Sequence, residues 1–292
     1  DEHLKTGLIL LKRIIKSSFD NDCFPKSRNI RQLCFYLKYF ILIREWLKES
    51  QSEIPDFINE NIYYLGQAYA FTWQNNKVDL LFNGNHETNN ADFDHYLKKF
   101  GYSFKNQSNE LGGYVNLNHK KVSLIMDVGS SPDKKFSSNY QAGALSFEII
   151  SNGKKLICNS GYFQNQNHQL NDLSKSSAIH STLILDDRSS CKFNKIKNKG
   201  SEILYGLKIL KKNIVFEKNY WKINAAHDGY LKRYGIIHER EIEFYPEQTK
   251  FVGHDKMISK NSIKNLKFEI RFHLQPNIKT MKTQDNKSIL ID

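Results

Sequence analysis

The sequence lacks several features that would place it in a narrow structural class. Among its 292 residues there is no uncharged apolar run of roughly 18, the length that a membrane-spanning helix needs. The most apolar stretch, residues 33–47, is interrupted by three charged residues and predicts a buried amphipathic helix. The four cysteines have no metal-like spacing, and Cys34 and Cys158 lie in apolar runs. We therefore expect buried thiols rather than a disulfide framework.

Arginine is also scarce, although the chain is strongly basic. Only eight of the 43 basic residues are arginine, and the net charge is +12. This charge suits an acidic partner such as a sulfated or uronate-bearing glycan, a nucleic acid or an anionic membrane. Lysine, asparagine and isoleucine are abundant together, which the codon bias of an AT-rich genome also explains. No basic recognition helix or aromatic RNA-binding motif accompanies the charge, so we expect no nucleic-acid partner.

What is present suits a folded protein of two domains. Hydrophobic residues make up 39% of the chain and aromatic residues 13%, which is enough to build real cores. The chain has more residues than a single hydrophobic core usually organises, which favours two domains. The sequence begins at Asp1 without a methionine and shows no signal peptide, so we interpret it as a fragment or a processed form. Its localisation, periplasmic or cytoplasmic in a bacterium, and its oligomeric state stay open.

The hydrophobic period changes once along the chain, and this change predicts the domain boundary. In residues 1–105 apolar residues recur at steps of three and four, which is helical. Three long helices joined by short loops indicate a helix bundle or part of an (α/α) toroid. Ser27 is a plausible N-cap of the second helix. The helices are predicted at residues 4–15, 29–49, 55–73 and 92–100.

Residues 106–292 alternate between apolar and polar and are rich in turns. About ten short strands at close spacing predict a sandwich or barrel of antiparallel sheets. Asn152 and Gly153 form a hairpin signal between two of them. The chain stops inside what resembles a further strand at residues 290–292, so we expect the sandwich to be truncated. The strands are predicted at residues 112–118, 121–128, 144–150, 155–159, 181–185, 203–210, 214–216, 221–225, 236–244 and 268–274.

Several short motifs in a fixed order carry a family resemblance, although none of them is specific alone. The chain resembles the heparinase II/III-like proteins, a family of polysaccharide lyases, over nearly its whole length. The motifs are Ser27-Arg28-Asn29, Leu145-Ser146-Phe147-Glu148, Asn159-Ser160-Gly161, Ala178-Ile179-His180-Ser181-Thr182, His227-Asp228-Gly229-Tyr230, Ile237-His238-Glu239-Arg240 and Arg271-Phe272-His273-Leu274.

The resemblance implies an α+β multidomain fold. Residues 1–105 would form the C-terminal part of an (α/α) toroid, and residues 106–292 a large antiparallel β-sandwich, or supersandwich, with a glycan cleft between them. The implied activity is that of a carbon–oxygen lyase, which cleaves an acidic, uronate-containing glycan of heparin or heparan type by β-elimination. Such an enzyme neutralises the uronate carboxylate, removes the C5 proton with a tyrosine or histidine, and protonates the leaving oxygen.

Several positions depart from the family pattern. The family's His-x-His-Ala-Asp motif falls where Asn139 and Gln141 replace both imidazoles and Gly143 replaces the carboxylate. The family's catalytic tyrosine would fall near Gln32, which cannot act as a base. Tyr140 could take over, a catalytic residue could lie upstream of the first residue, or the chemistry could differ. The alternative function is therefore a catalytically altered or inactive glycan-binding relative.

The resemblance also bears on metal binding. Some members hold a structural Zn²⁺ through His, Asp and His of the sandwich signature. These positions correspond to Gln141, Asn159 and His180, of which only His180 remains a good ligand. Because neutral amides rarely hold Zn²⁺, we expect neither a metal nor another cofactor.

We predict Tyr140 and His180 as the catalytic residues. Each predicted residue also has a structural alternative: Tyr140 as a packing or sugar-stacking ring, His180 as a hydrogen-bonded core histidine, and Asn139 as a turn cap. His238 and Arg240 would share one strand face, as a carboxylate or sulfate clamp or as a solvated surface. The predicted substrate-binding residues are Arg28, Asn139, Gln141, Asn159, His238 and Arg240.

Overall fold

The structure, a computed structural model, describes residues 2–74, 77–88, 91–196, 200–259 and 265–291. Within these ranges the helices come first along the chain and the strands follow. None of the helices is both long enough and apolar enough to cross a membrane, among the residues that could be searched. Cys158 and Cys191 are buried thiols.

The N-terminal helices lie close to where the three- and four-residue period predicts them. The cap of the second helix differs from the prediction. Asn29, rather than Ser27, accepts a hydrogen bond from the backbone N–H of Arg31, whereas the Ser27 hydroxyl donates to the side chain of Gln32 at 2.6 Å. The helices are α1 (Glu2–Ser18), α2 (Ile30–Glu49), α3 (Asp56–Tyr69), which continues into a π-helical turn (Ala70–Gln74), and α4 (Ala91–Lys99).

Short strands make up most of the remaining chain, and all of the described strand pairings are antiparallel. Two short helices, α5 (Gln169–Ser174) and α6 (Leu231–Tyr234), interrupt them. The strands are β1 (Glu110–Leu111), β2 (Tyr114–His119), β3 (Val122–Asp127), β4 (Phe147–Ser151), β5 (Lys154–Cys158), β6 (Leu183–Leu185), β7 (Lys192–Ile196), β8 (Gly200–Tyr205), β9 (Ile209–Phe216), β10 (Trp221–His227), β11 (Ile236–Tyr245), β12 (Lys250–Ser259), β13 (Phe268–Ile270), β14 (His273–Leu274), β15 (Thr280–Lys282) and β16 (Ile289–Ile291).

The two largest described sheets pack face to face. One contains six strands in the order β1-β2-β3-β4-β5-β14, and the other contains four in the order β12-β11-β10-β9. Leu124 and Met126 of β3 pack against Ile223 and Phe244 of the second sheet. Because side chains alternate along a strand, Ile125 points the other way, into the core of the helices. The six-stranded sheet is therefore a middle layer, and the predicted α+β class with antiparallel sheets is confirmed.

Some strand predictions are wrong where one run of residues serves two sheets. The predicted strand at residues 203–210 ends at Tyr205 and resumes at Ile209, because Leu207 leaves β8 and exchanges hydrogen bonds with Ser131. The predicted strand at residues 268–274 divides into β13 and β14, which pair with β6 and β5 respectively. The edge strand β12 was not predicted from the sequence, because its half-buried face mixes Phe251 and Met257 with Gly253 and Asp255.

Candidate functional site

Arg28 joins the helical part to the six-stranded sheet. Its guanidinium forms an ion pair with Asp127 at the end of β3 (Nη2–Oδ1 2.7 Å) and donates to the carbonyl oxygens of Gly112, Gly113 and Gly129. A Cβ at Gly129 would lie 2.3 Å from the guanidinium carbon, so glycine makes room for this approach. Both charged groups are buried. A substrate contact by Arg28, as predicted, would require this clamp to open.

The turn that contains Asn83 shares the same carboxylate. The Asn83 amide donates to Asp127 Oδ2 at 3.0 Å and to the Tyr114 hydroxyl oxygen at 2.7 Å. The Tyr114 hydroxyl in turn donates to the carbonyl oxygen of Arg28 at 2.8 Å. Buried polar groups that satisfy one another in this way rigidify the structure, because each unpaired group would be costly. We call this set (Arg28, Asn83, Tyr114 and Asp127) the junction network.

Gln141 lies beside this network with its amide fully used. Its Oε1 accepts from the backbone N–H of Gly84 at 3.1 Å, and its Nε2 donates to the carbonyl oxygens of Gly161 at 3.0 Å and Ser174 at 2.5 Å. The residue is fully buried. Gln141 therefore ties two loops and the end of α5 together, and no part of its amide faces solvent.

Asn159 and His180 are also buried, but their polar atoms are less well satisfied. Asn159 Oδ1 accepts from the backbone N–H of Ser181 at 2.9 Å. The Asn159 Nδ2 and both ring nitrogens of His180 have no hydrogen-bond partner among the described residues. Burial, together with the charge of nearby His273, lowers the pKa of His180 to about 3. The imidazole is therefore neutral at physiological pH.

These residues do not fit the zinc site that the resemblance implies for some family members. The side-chain oxygens of Gln141 and Asn159 already accept backbone hydrogen bonds. A Cβ at Gly143 would lie 3.0 Å from the His180 ring, so the ring occupies the space beside that position. In the described ranges no group of three or more His, Cys, Asp or Glu residues could hold a metal ion.

Tyr140 lies in an apolar cluster. Its ring packs with Ala142, Cys191, Ile203 and Leu207, and 1% of the residue is exposed. The hydroxyl lies beside the Cys191 thiol and has no other hydrogen-bond partner in the described part of the chain. Burial raises the pKa of Tyr140 well above its ordinary value. A catalytic role for Tyr140 or His180 stays a prediction, since neither side chain reaches solvent in this structure.

His238 and Arg240 share one face of β11, as predicted, and this face is buried. The alternative of a solvated strand face is therefore wrong. Arg240 holds both carboxylate oxygens of Asp255 (2.8 and 2.9 Å), and His238 Nε2 lies 2.6 Å from the same carboxylate. His238 Nδ1 lies 3.2 Å from His227 Nε2, and His227 Nδ1 accepts from the backbone N–H of Gly229. His238 and Arg240 thus hold a carboxylate of the protein itself, and a substrate contact by either residue stays a prediction.

The protonation of this buried chain follows from its contacts. Although burial alone would raise it, the pKa of Asp255 is lowered to about 2 by His238 and Arg240. Burial lowers the pKa of His227 and of His238, and the charge of Arg240 adds to this effect. With both histidines neutral, His227 Nε2–H donates to His238 Nδ1, and His238 Nε2–H donates to Asp255. We call these four residues the histidine chain.

Asn139 is the predicted site residue that is partly exposed. Its Oδ1 accepts a hydrogen bond from the Tyr162 hydroxyl at 3.1 Å. It borders a small cavity of about 120 Å³ at the start of α2, together with Gln32, Tyr36 and Lys135. Asn139 is thus placed to contact a ligand that lies between α2 and the loops of the sandwich.

Next to this cavity lies a polar cluster that the sequence analysis missed. Arg31 Nη1 contacts both ring nitrogens of His86, at 2.9 Å from Nδ1 and more closely at Nε2, and Gln164 Nε2 lies 2.8 Å from Nδ1. Partial burial and the charge of Arg31 lower the pKa of His86, so its imidazole is neutral. The available signal was that Arg31 directly precedes Gln32, the position of the family's tyrosine. Tyr162, two residues before Gln164, bonds to Asn139 and so connects this cluster to the cavity. We refer to the cluster (Arg31, His86 and Gln164) and the cavity-lining residues Gln32, Lys135 and Asn139 together as the α2 groove.

Sequence comparison assigns the chain to a family. The family model described as "Heparinase II/III-like, C-terminal" matches residues 106–292, which is more than half of the chain. The chain belongs to the heparinase II/III-like family. No curated protein matches it.

Solved structures of lyases resemble this heparinase II/III-like chain in fold. Heparan sulfate lyase HepC from Pedobacter heparinus superposes with a TM-score of 0.72 at 15% identity, covering 97% of this chain and 46% of that one. A heparinase III gene product superposes with a TM-score of 0.74 at 14% identity, covering 96% of this chain and 45% of that one. A heparinase III crystal structure gives a TM-score of 0.71 at 17% identity, covering 97% of this chain and 47% of that one. At such identities the likeness shows the fold alone. The chain spans less than half the length of each.

Proposed function

We propose that this protein is a polysaccharide lyase that cleaves an acidic, uronate-containing glycan of heparin or heparan type by β-elimination. In this proposal the glycan binds in the α2 groove. The observation that carries it is the pairing of Arg31 with a neutral His86 on an exposed surface where the helices meet the sandwich. Family membership supports the substrate class, because the similar solved structures include a heparan sulfate lyase and heparinase III.

The pair provides three of the functions that β-elimination requires. The C5 proton of a uronate is weakly acidic because the adjacent carboxylate repels the developing negative charge. A guanidinium such as that of Arg31 can bind that carboxylate through two hydrogen bonds and offset the charge. His86 can then accept the C5 proton as a general base, and the imidazolium so formed can donate a proton to the glycosidic oxygen as the C4–O bond breaks and the C4–C5 double bond forms.

The contacts of His86 support an order for these events. Arg31 Nη1 contacts both ring nitrogens of His86, and the Gln164 amide can donate to Nδ1. When Arg31 turns to a uronate carboxylate, a ring nitrogen of His86 becomes available for the proton. Asn139, with its half-exposed amide, supplies a further hydrogen bond to the sugar. Binding of the correct substrate would therefore activate the base.

We also propose the division of the chain that the sequence predicts. Residues 1–105 would be the C-terminal part of an (α/α) toroid, and residues 106–292 a supersandwich-type β-sandwich domain. The order of the helices before the antiparallel sheets supports this division, as does the family match to residues 106–292. The α2 groove would then lie between the two domains.

A specific observation favours a second candidate, a catalytically altered or inactive glycan-binding relative. Two motif positions that ionise in the family hold the amides Gln141 and Asn159, and both amides are engaged inside the fold. Such a protein would bind the same glycans in the α2 groove without cleaving them.

A panel of uronate polymers, including heparin and heparan sulfate, separates these two functions. Cleavage produces a 4,5-unsaturated uronate, whose ultraviolet absorbance rises with time, and calorimetry measures binding in parallel. A rise on one or more polymers supports the lyase. Binding without any rise supports the altered relative, and absence of both on every polymer would contradict both proposals.

A further inference from the structure

A second groove lies on the sandwich and shares no lining residue with the α2 groove. It has a volume of about 870 Å³ and is lined by residues 188–193, 204–206 and 228–234. We propose that this surface, which we call the β8 groove, is a second binding site for the sulfated, uronate-bearing glycan. The choice of this ligand class rests on the proposed function. The existence of a glycan site here does not require that the α2 groove be catalytic.

The β8 groove is strongly cationic. Arg188, Lys192, Lys232 and Arg233 line it, against a single carboxylate, Asp228. All four basic residues are exposed. Among the described residues none of the four forms an ion pair with a carboxylate, whereas other exposed lysines of the chain do. The groove therefore presents several positive charges for which the described part of the chain supplies no carboxylate partner.

The nearby carboxylates are partly engaged elsewhere. Asp228 Oδ1 accepts from the backbone N–H of Lys208 at 2.6 Å. Asp186, outside the lining, accepts from the Tyr234 hydroxyl at 3.2 Å. These bonds turn carboxylate oxygens toward the protein, so the positive charge of the lining residues dominates the groove.

Codon bias does not explain this concentration of charge. Bias toward AT-rich codons raises lysine, but arginine is scarce in this chain, with eight residues in all. Two of those eight, Arg188 and Arg233, line this one groove. The planar guanidinium is the side chain best suited to bind sulfate and carboxylate groups through two hydrogen bonds. The composition of the groove thus matches the anionic groups of the proposed ligand.

Exposed aromatic rings lie among these cations. Tyr205 is 48% exposed, and Lys232 Nζ lies 3.6 Å from the centre of its ring. The Arg233 guanidinium lies 6.0 Å from the ring of Tyr234. Aromatic side chains offer an apolar face with a polar tip, which suits one face of a sugar ring. A polymer that presents sugar rings as well as dense negative charge fits this mixture of aromatic and basic side chains better than a small inorganic anion does.

The floor of the groove is built to hold this arrangement in place. Tyr230 is buried, and its hydroxyl contacts the carbonyl oxygens of Leu183 at 3.1 Å and Arg188 at 3.3 Å. A Cβ at Gly229 would lie 2.6 Å from the carbonyl oxygen of Ser190, so the two walls approach closely there. Lys232 and Arg233 follow Tyr230 on α6. The positions of the two basic walls are therefore tied to the core of the sandwich.

The test compares two double variants that each remove two positive charges. Lys232→Gln/Arg233→Gln alters the β8 groove, and Lys98→Gln/Lys154→Gln alters exposed lysines outside it. The probe is a heparin-derived octasaccharide, with binding measured by calorimetry and folding checked by circular dichroism. We expect the groove variant to weaken binding about tenfold and the control less than about twofold. Equal weakening in both variants would overturn the proposal, because net charge would then explain the binding.

Two further measurements make the assignment specific. Tyr205→Ala is expected to weaken octasaccharide binding about threefold without changing the net charge. A single-stranded DNA of matched charge is the second probe. If the DNA binds as tightly and loses as much affinity in the groove variant, the site is a general polyanion surface and the glycan assignment is overturned. If Lys232→Gln/Arg233→Gln does not fold, Arg233→Lys, which removes the two-bond geometry and keeps the charge, provides the same comparison.

The outcome is separable from that of the proposed lyase. We expect Lys232→Gln/Arg233→Gln to leave the rate of cleavage of a tetrasaccharide unchanged, since so short a chain occupies the α2 groove alone. If the protein cleaves no polymer but loses octasaccharide binding in this variant, the β8 groove stands and the lyase fails. If cleavage is intact and octasaccharide binding is unchanged in the variant, the β8 groove fails and the lyase stands.

Discussion

The buried junction and the open α2 groove lie side by side but differ in what their polar atoms contact. At the junction, the guanidinium of Arg28 and the amide of Gln141 find their partners inside the fold. In the α2 groove, Arg31, His86 and Gln164 contact one another in an exposed cluster. The difference indicates that a residue's position in a family motif does not by itself show that the residue binds the ligand. The available hydrogen-bond partners decide between a structural and a binding role.

The largest expected effect breaks the junction network. Arg28→Ala leaves the buried Asp127 without its cation, and we expect the free energy of unfolding to fall by about 3–5 kcal/mol. Urea denaturation measures this change. Lys195→Ala, which removes an exposed partner of Asp172, is the control and should cost less than about 1 kcal/mol. Equal small losses in both variants would show that Arg28 is not a structural clamp.

Two glutamines, Gln141 at the junction and Gln164 in the α2 groove, allow a matched comparison of the two regions. Gln141→Ala leaves three backbone groups of the junction unpaired, and we expect a loss of about 3 kcal/mol in the free energy of unfolding. Gln164→Ala in the α2 groove should cost less than about 0.5 kcal/mol, because its side chain is exposed. Thermal and urea unfolding of the two variants test this directly. If Gln164→Ala lowered the free energy of unfolding more than Gln141→Ala does, the structural role would belong to the α2 groove and not to the junction.

The histidine chain predicts that the sandwich is sensitive to acid. The pKa values of His227 and His238 are lowered in the folded protein, so the unfolded chain binds protons first as the pH falls. Stability is therefore complete above the ordinary histidine pKa of about 6.5, and decreases below it by about 2 kcal/mol per pH unit. The lowered pKa of Asp255 extends the loss into stronger acid.

Urea unfolding at a series of pH values between about 7.5 and 5 measures this slope. A His227→Gln/His238→Gln double variant should reduce the slope and leave the part that the buried His180 contributes, whereas His95→Gln, at an exposed position of α4, should leave the slope as it is. An unchanged slope in the double variant would mean that other groups set the acid sensitivity.

The smallest expected effect concerns the Tyr140 hydroxyl. Tyr140→Phe removes an oxygen whose described contact is the Cys191 thiol, and we expect less than about 0.5 kcal/mol change in the free energy of unfolding. Tyr114→Phe is the matched control, since it loses bonds to Asn83 and Arg28 and should cost about 1–2 kcal/mol. A stability loss for Tyr140→Phe equal to that of the control would show that the Tyr140 hydroxyl forms a further hydrogen bond.

Periodicity predicted the parts of the fold in which one face of an element is buried. It located the four N-terminal helices and most strands of the two large sheets. It missed β12, where Gly253 and Asp255 interrupt the half-buried face. It also joined β8 to β9, because the exchange of bonds between Leu207 and Ser131 depends on residues that are far apart in the chain.

The candidate site was predictable only in part, for a related reason. The order of the motifs located the junction, and Asn139 does border a groove. The sequence did not reveal that Gln141 would be enclosed by Gly84, Gly161 and Ser174, since those partners come from two separate loops and the end of α5. The contact between Arg31 and His86 likewise arises only when the turn after α3 folds back onto α2.

The most direct test of the proposed lyase activity compares the rate of formation of the unsaturated uronate in two variants, on the uronate polymer for which the unaltered protein gives a rise in absorbance. His86→Ala should lower the rate of formation of the unsaturated uronate by about 100-fold, because it removes the proposed base, while the free energy of unfolding changes little. Tyr140→Phe should leave that rate within about twofold of the starting protein. An unchanged rate in His86→Ala, together with loss of activity in Tyr140→Phe, would contradict the assignment of chemistry to the α2 groove.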